Sequence, residues 1–247
     1  MGEFTGQVAL VTGSMSGMGE AIAARLAAEG ATVVLNSRTT PETPVRFTGS
    51  NEDAMHIACD VSDEAAVIRM ISSIEARYGA LDILVNNAGT TVVVPHDDLQ
   101  GATSEIWNRI LGVNIIGPWN TIKAAEKLLR ASKNGNVVNI SSIGGFRPAL
   151  GSSVPYSVSK AGLNHLTQLL ARSLGPDIRV NAIAPGFIET PWTSGEKWAD
   201  RQRHVQENSP LRRTGTPEDI AEACLGLIRS EYVTGSVLSV DGGLSLL

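Results

Sequence analysis

Apolar residues along the chain fall into two kinds of run that alternate. Short, nearly continuous β-branched stretches recur at QVALVT (7–12), TVVLNS (32–37), AMHIAC (54–59), LDILVN (81–86), NVVNIS (136–141), IRVNAI (178–183) and SVLSV (236–240). A run unbroken by polar residues marks a strand covered on both faces, as in a parallel sheet. Between these runs apolar residues recur at spacings of three and four, as at Val67, Met70, Ile71, Ile74 and Tyr78 ahead of Gly79. That spacing predicts amphipathic helices, with the glycine closing the last turn. The alternation predicts an α/β fold: a doubly wound, seven-stranded parallel sheet with helices on both faces. No Pro/Gly-rich linker, repeat or low-complexity tract interrupts residues 1–247, which predicts a single domain.

Composition narrows the chemistry. With 43% apolar and 18% charged residues in 247, the chain suits one globular core. A net charge of −5 supplies no basic field, so neither nucleic acid nor an anionic membrane is an expected partner. No apolar stretch approaches the ~20 residues of a membrane span, and MGEFTGQVALV lacks a signal peptide's basic start, so the expected location is cytoplasmic. Cys59 and Cys224 sit in apolar contexts as small core residues, and without C-x-x-C or H-E-x-x-H no metal site is expected.

Two motifs carry chemistry. Directly after the first strand comes TGSMSGMG, with Gly13, Gly17 and Gly19, and then a helical pattern and a second strand. Glycines there let the backbone turn tightly and approach a pyrophosphate held at a helix N-terminus, so the context points to a dinucleotide site. In PYSVSKAG, Tyr156 and Lys160 stand four residues apart and share one helix face, as either a surface pair or a tuned acid.

The order TG-x-x-x-G-x-G, NNAG (86–89), SS (141–142), Y-x-x-x-K (156–160) and PG (185–186) resembles the short-chain dehydrogenase/reductase family over essentially the full length. YVTGSVLSVDGG resembles the end of its 3-oxoacyl-carrier-protein reductases. The resemblance implies a Rossmann fold and hydride transfer between a nicotinamide and a ketone or secondary alcohol. Tyr156 would carry the proton, and Lys160 would lower its pKa and hold the cofactor ribose. Ser142, with Ser141 as rival, would bond the substrate oxygen. Asn114 would hold a water linked to Lys160, unless its amide serves the backbone. Ser16 and Met18 would join the three glycines at the cofactor, and Asp60 and Val61 would meet its adenine, although Asp60 also suits a helix N-terminus. Asn86, Ala88 and Gly89 would line the adenine-ribose side, with Asn87 structural; Pro185, Gly186, Ile188 and Thr190 would meet the carboxamide. An NAD-dependent alcohol dehydrogenase and an idle dinucleotide-binding regulator are the alternatives.

The end of the second strand selects the cofactor. An acid there binds both ribose hydroxyls and repels a 2′-phosphate; here Ser37 and Arg38 stand instead, which predicts NADP(H) over NAD(H). Ser37 is expected to donate to the phosphate, and Ser16 stands where some NADP enzymes place a second base. Pro41 and Pro44 forbid the helix that most members carry between Arg38 and Met55. The segment 142–156 is a residue longer than the family's, and IRSEYVTG is shorter. Residues 187–208, with Trp192 and Trp198, are expected to form a mobile lid with an apolar inner side. Apolar helices at 104–131 and 155–174 predict a homotetramer. Arg130, Lys133 and Arg172 would receive an acyl-carrier protein or be ordinary solvated charges.

Overall fold

The computed structural model describes residues 2–47, 54–148 and 152–247. Among them the strands are β1 (Val8–Val11), β2 (Thr32–Ser37), β3 (His56–Ala58), β4 (Ile83–Asn86), β5 (Gly135–Ile140), β6 (Ile178–Pro185) and β7 (Val237–Val240). They form a seven-stranded, all-parallel sheet in the order β3-β2-β1-β4-β5-β6-β7. Every residue of β1, β4 and β5 is buried, so both sheet faces are covered and the apolar runs need no polar alternation.

Successive strand residues serve opposite layers because side chains alternate across the pleat. Ala9, Val11, Ile83, Val85 and Val138 pack with Ile22 and Leu26 of α1 (Gly17–Ala28) and Ile220, Leu225 and Ile228 of α7 (Pro217–Arg229). Leu10, Leu84, Val137 and Val180 face the other way. They meet Met70 and Ile74 of α2 (Glu64–Tyr78), Leu128 and Leu129 of α4 (Gly117–Ala131), and Leu170 and Leu174 of α5 (Val154–Leu174). Gly79 closes α2 at φ 69°, a left-handed conformation that favours glycine.

Helix α3 (Ser104–Leu111) runs without a break into α4 through a π-helical turn, Gly112–Ile116. Pro118 explains the wide turn. It has no N–H to give to the carbonyl of Asn114 four residues back, and its ring crowds that carbonyl. The Pro41–Pro44 segment is not helical, as its prolines require; the rest of that stretch, residues 48–53, lies outside the described residues. Residues 149–151 of the longer 142–156 segment do too. No helix among the described residues is long and apolar enough to cross a membrane.

Candidate active site

Strand order reverses between β1 and β4, so the loops that leave these neighbours diverge and open a crevice at the strand ends. That crevice has a volume of about 420 Å³. Its floor is a close approach of two backbones: a Cβ on Gly13 (φ 62°) would lie 2.9 Å from Ala88 Cα. Thr12 Oγ1 accepts from the N–H groups of Asn87 and Ala88, both at 3.0 Å, and Asn87 Nδ2 donates to Thr12 O (3.0 Å) and Gly13 O (2.9 Å). Asn36 supports the same loop from β2. Its Nδ2 donates to Ile57 O and Cys59 O at 3.0 and 3.1 Å, and its Oδ1 accepts from Gly13 N at 3.4 Å.

Gly17 opens α1 at φ 57°, where a Cβ would press on Thr190. Ser16 is the N-cap but makes no side-chain cap bond, so the first-turn N–H groups remain for an anion such as a pyrophosphate. Gly19 has a different task. A Cβ there would fall 2.3 Å from Gly13 O, so it lets helix and loop pack and does not line the crevice.

The walls carry Ser16, Met18, Ser37, Arg38, Asp60, Val61, Ala88, Gly89 and Thr190. Asp60 is not the cap of α2. It accepts from Ser62 N (2.9 Å) and Ser62 Oγ (2.7 Å), while Asp63 caps the helix through Ala66 N at 3.0 Å. Asn86 departs from expectation. Its side chain points into the core, donating to Asn139 Oδ1 (2.9 Å) and accepting from Thr121 Oγ1 (2.6 Å), and Asn87 lines the crevice instead.

Ser37 also departs from expectation. Its hydroxyl has one proton, which it donates to Thr39 O at 2.7 Å, so the contact with His56 Nε2 at 2.8 Å is a bond donated by the imidazole. The serine therefore offers the crevice no carboxylate and no spare proton, and Arg38 and Arg109, both exposed on the wall, are the cationic groups there.

A smaller cavity of about 140 Å³ adjoins the crevice and shares Met18, Thr190 and Trp192 with it. Ser142, Tyr156, Pro185, Gly186 and Ile188 all line it. The serine rivalry resolves by burial: Ser141 Oγ is consumed by Lys160 O (3.2 Å) and Asn164 Oδ1 (2.5 Å) in the core, whereas Ser142 Oγ accepts from Gly144 N (3.1 Å) and shares the cavity with Tyr156. Ser142 reaches that far because a 3₁₀ turn, Ile143–Gly145, lies flat on α5. A Cβ on Gly145 would come 2.7 Å from the Lys160 carbonyl carbon. Trp192 stands edge-on to Tyr156, with centroids 6.4 Å apart.

Lys160 is only 4% exposed. Its Nζ donates to Ile140 O at 2.8 Å and lies 5.7 Å from the Tyr156 ring centroid. Burial pulls its pKa down to about 8. Burial pushes the Tyr156 phenol up, and the bond to Ser142 opposes that. The expected depression of Tyr156 by Lys160 is therefore absent in the protein alone, where desolvation outweighs an ammonium held on a carbonyl. Asn114 sits in the π-helical turn. Its amide takes Thr90 N (2.8 Å) and gives to Thr90 O and Ser159 Oγ, both at 3.0 Å. It thus serves the backbone and fixes the loop beside Gly89, and no hydrogen bond joins it to Lys160 among the described residues.

Residues 187–208 fold over the smaller cavity as two 3₁₀ turns and α6 (Ala199–Asn208). Trp198 packs on Phe187 with centroids 6.0 Å apart. Gln202 donates to Glu189 at 3.1 Å, and Thr214 also bonds Glu189. Three contributors went unread in the sequence: Asn36 and Thr12 behind the glycine loop, and Arg201, whose side chain lines the cavity from α6. An asparagine inside the apolar run TVVLNS was the available signal for the first. No group of three or more metal-ligating side chains exists among the described residues.

A parallel sheet with a glycine-loop crevice and a Ser-Tyr-Lys wall defines a dinucleotide-dependent oxidoreductase. The chain belongs to the short-chain dehydrogenase/reductase family, which binds a nicotinamide dinucleotide and acts on keto and alcohol groups. A family described as enoyl-(acyl carrier protein) reductase matches residues 13–245. The chain is 54% identical to a Streptomyces violaceoruber protein named as ketoacyl reductase 2 of the granaticin polyketide synthase, over 97% of this chain and 96% of that one. It is 37% identical to the 3-oxoacyl-(acyl-carrier-protein) reductase FabG of Thermotoga maritima, over 97% and 98%. Ligand-free aldohexose dehydrogenase of Thermoplasma acidophilum superposes with a TM-score of 0.88 at 30% identity, over 99% and 96%.

Lys160 yields a prediction about stability. Its folded pKa of about 8 lies below the ordinary 10.5, so the burial penalty is fully present below pH 8 and fades as pH rises from 8 to 10.5. Lys160→Met is expected to unfold at higher denaturant at pH 7, by about 1–3 kcal/mol, because removal of the buried charge outweighs the loss of the partner of Ile140 O. The advantage should vanish towards pH 10.5; a variant less stable than wild type at pH 7 contradicts this.

Proposed function

We propose that the chain is an NADP(H)-dependent reductase of a ketone or a 3-oxoacyl group, running the same chemistry in reverse on secondary alcohols. The observation that carries this reading is that Ser142 and Tyr156 line one small cavity adjoining the glycine-loop crevice. The crevice fits the cofactor: glycines where a Cβ would collide, and free N–H groups at the start of α1. A bound nicotinamide supplies or takes the hydride. The chain does the rest. Tyr156, held protonated by burial, gives its proton to the substrate oxygen while Ser142 donates a hydrogen bond to that oxygen and steadies the developing charge. Lys160, within reach of the space above Gly89, holds the ribose and restores the proton. Asn114 positions the loop at Thr90 against which both work. Residues 187–208 exclude water as a lid.

An idle regulator would bind the cofactor without needing the Ser-Tyr-Lys arrangement, and turnover separates the two. An acyl-carrier protein gains little support. Arg130 is already paired with Glu126 (2.9 Å) and Asp177 (2.5 Å), which leaves Lys133 and Arg172 exposed.

For cofactor choice, the support is the absence of a carboxylate at Ser37 together with the guanidinium of Arg38 on the crevice wall. For assembly as a homotetramer, it is the exposed apolar side chains Ile116, Trp119, Val158 and Leu169 on the α4 and α5 side and Leu238 on β7.

Three outcomes are expected. Tyr156→Phe should cut ketone reduction to below a hundredth of wild type while cofactor affinity, read by fluorescence titration, stays within a few-fold, because it removes a proton donor worth ~10²–10⁴. Wild type should favour NADPH over NADH by at least tenfold in kcat/KM, about 1.4 kcal/mol, and Ser37→Asp should reverse that; better use of NADH by wild type would exclude the NADP reading. Light scattering at micromolar concentration should find an assembly, and a lone species at the 26.0 kDa chain mass would exclude the tetramer.

A further inference from the structure

Among the described residues, the cavity beneath Ser142 and Tyr156 is lined almost wholly by neutral groups. Phe187, Ile188, Trp192, Trp198 and Leu244 make its apolar part, and hydroxyls supply most of the rest. Arg201 is the exception. It is the one lining side chain with a permanent charge, it projects from the first turn of α6, and it is partly buried. No acidic side chain shares the wall. The neighbouring acids are engaged elsewhere: Glu189 with Gln202 and Thr214, Asp200 with Arg203 at 3.2 Å, and Asp241 with the N–H groups of Gly243 and Ser245. The other arginines nearby are compensated, Arg213 by Asp219 at 2.6 Å and Arg147 by carbonyls at the chain end.

A guanidinium half-removed from water with no counter-ion is costly by itself and becomes favourable when an anion completes it. Consistent with this, burial lowers the Arg201 pKa and no carboxylate raises it back. Its planar fork of donors matches a carboxylate's two oxygens. We propose that Arg201 anchors a free carboxylate of the substrate, so that the ketone reduced beside Tyr156 belongs to a keto acid and not to a thioester. In a thioester that acid is masked, so the anchor and the carrier-protein route are alternatives. Arg201 binds and orients; it takes no part in proton or hydride transfer. This inference rests on the ketone-reductase reading and assigns its substrate class.

The test compares 4-oxopentanoate and 4-oxocyclohexanecarboxylate with their methyl esters and with acetoacetyl-N-acetylcysteamine, using wild type, Arg201→Met and Arg201→Lys with saturating NADPH. Wild type should prefer each acid over its ester by tenfold or more in kcat/KM. Arg201→Met should raise KM for the acids tenfold or more, with kcat and all ester and thioester constants within threefold, and Arg201→Lys should recover part of the loss. Equal or better use of the esters by wild type overturns the anchor, as does an Arg201→Met defect shared by acids and esters, which marks a structural role. Binding is also read without turnover, by quenching of Trp192 and Trp198 fluorescence: acids should bind wild type at least tenfold tighter than esters, and Arg201→Met should abolish the difference. Tighter acid binding with no reduction of any ketone would uphold the anchor and sink the reductase reading instead, while equal binding of acid and ester overturns the anchor whatever the activity.

Discussion

The whole site depends on how closely the chain can approach itself where β1 and β4 end. Thr12 receives two N–H groups from the opposite loop on one hydroxyl, and Gly13 lies where any Cβ would strike Ala88. A larger residue would push the loops apart and tilt the start of α1, whose N–H groups must face the crevice. Asn36 spans the same junction from β2, so three neighbouring strands share the constraint. Topology supplies the opening, since loops diverge only where strand order reverses. The hydrogen bonds fix its width.

A second set of buried polar groups carries the position of β4 and β5 to the catalytic helix. Asn86 bonds Asn139, Asn139 donates to Thr167 of α5 at 2.9 Å, and Thr121 of α4 closes on Asn86. Gly162 allows α5 to touch Ile115 in the π-helical turn, where a Cβ would sit 2.6 Å from its Cδ1. Each buried amide costs desolvation that only full pairing offsets. The return is that Tyr156, Lys160 and Asn114, from two helical elements, are held against one sheet without depending on the surface loops.

Much of this was legible in the chain. The strands are continuous apolar runs and Gly79 marks a helix end, so element order and parallel pairing follow from periodicity alone. The glycine loop was legible because only glycine tolerates those close approaches, and Y-x-x-x-K because helix spacing puts both side chains on one face. Roles that depend on rotamer direction were not. Asn86 and Asn87 are adjacent and identical in type, yet one turns into the core and the other to the crevice, since strand residues alternate sides up to the point where β4 ends. Ser37 was read correctly as neutral but not as already committed, because its partners, Thr39 O and His56, lie on segments whose pairing emerges only in three dimensions. Arg201 sits in a helix with little apolar periodicity, where an arginine facing inward looks the same as one facing water.

The balance at Tyr156 sets the protonation state of the phenol in the empty protein. A phenol depressed towards neutrality exchanges its proton readily; a phenol raised by burial keeps its proton and gives it up less readily. Here desolvation wins, and part of it comes from the chain's own Trp192, standing edge-on over the ring from the segment that covers the cavity. Lys160 cannot reverse the balance while its Nζ is engaged by Ile140 O and its own charge is disfavoured by the same burial. The two groups are therefore coupled through one dry environment, and closing residues 187–208 more tightly would favour the protonated phenol and the uncharged lysine together. A positive charge brought into the site by an oxidised cofactor would act in the opposite sense on the phenol, so the same residues can serve both directions.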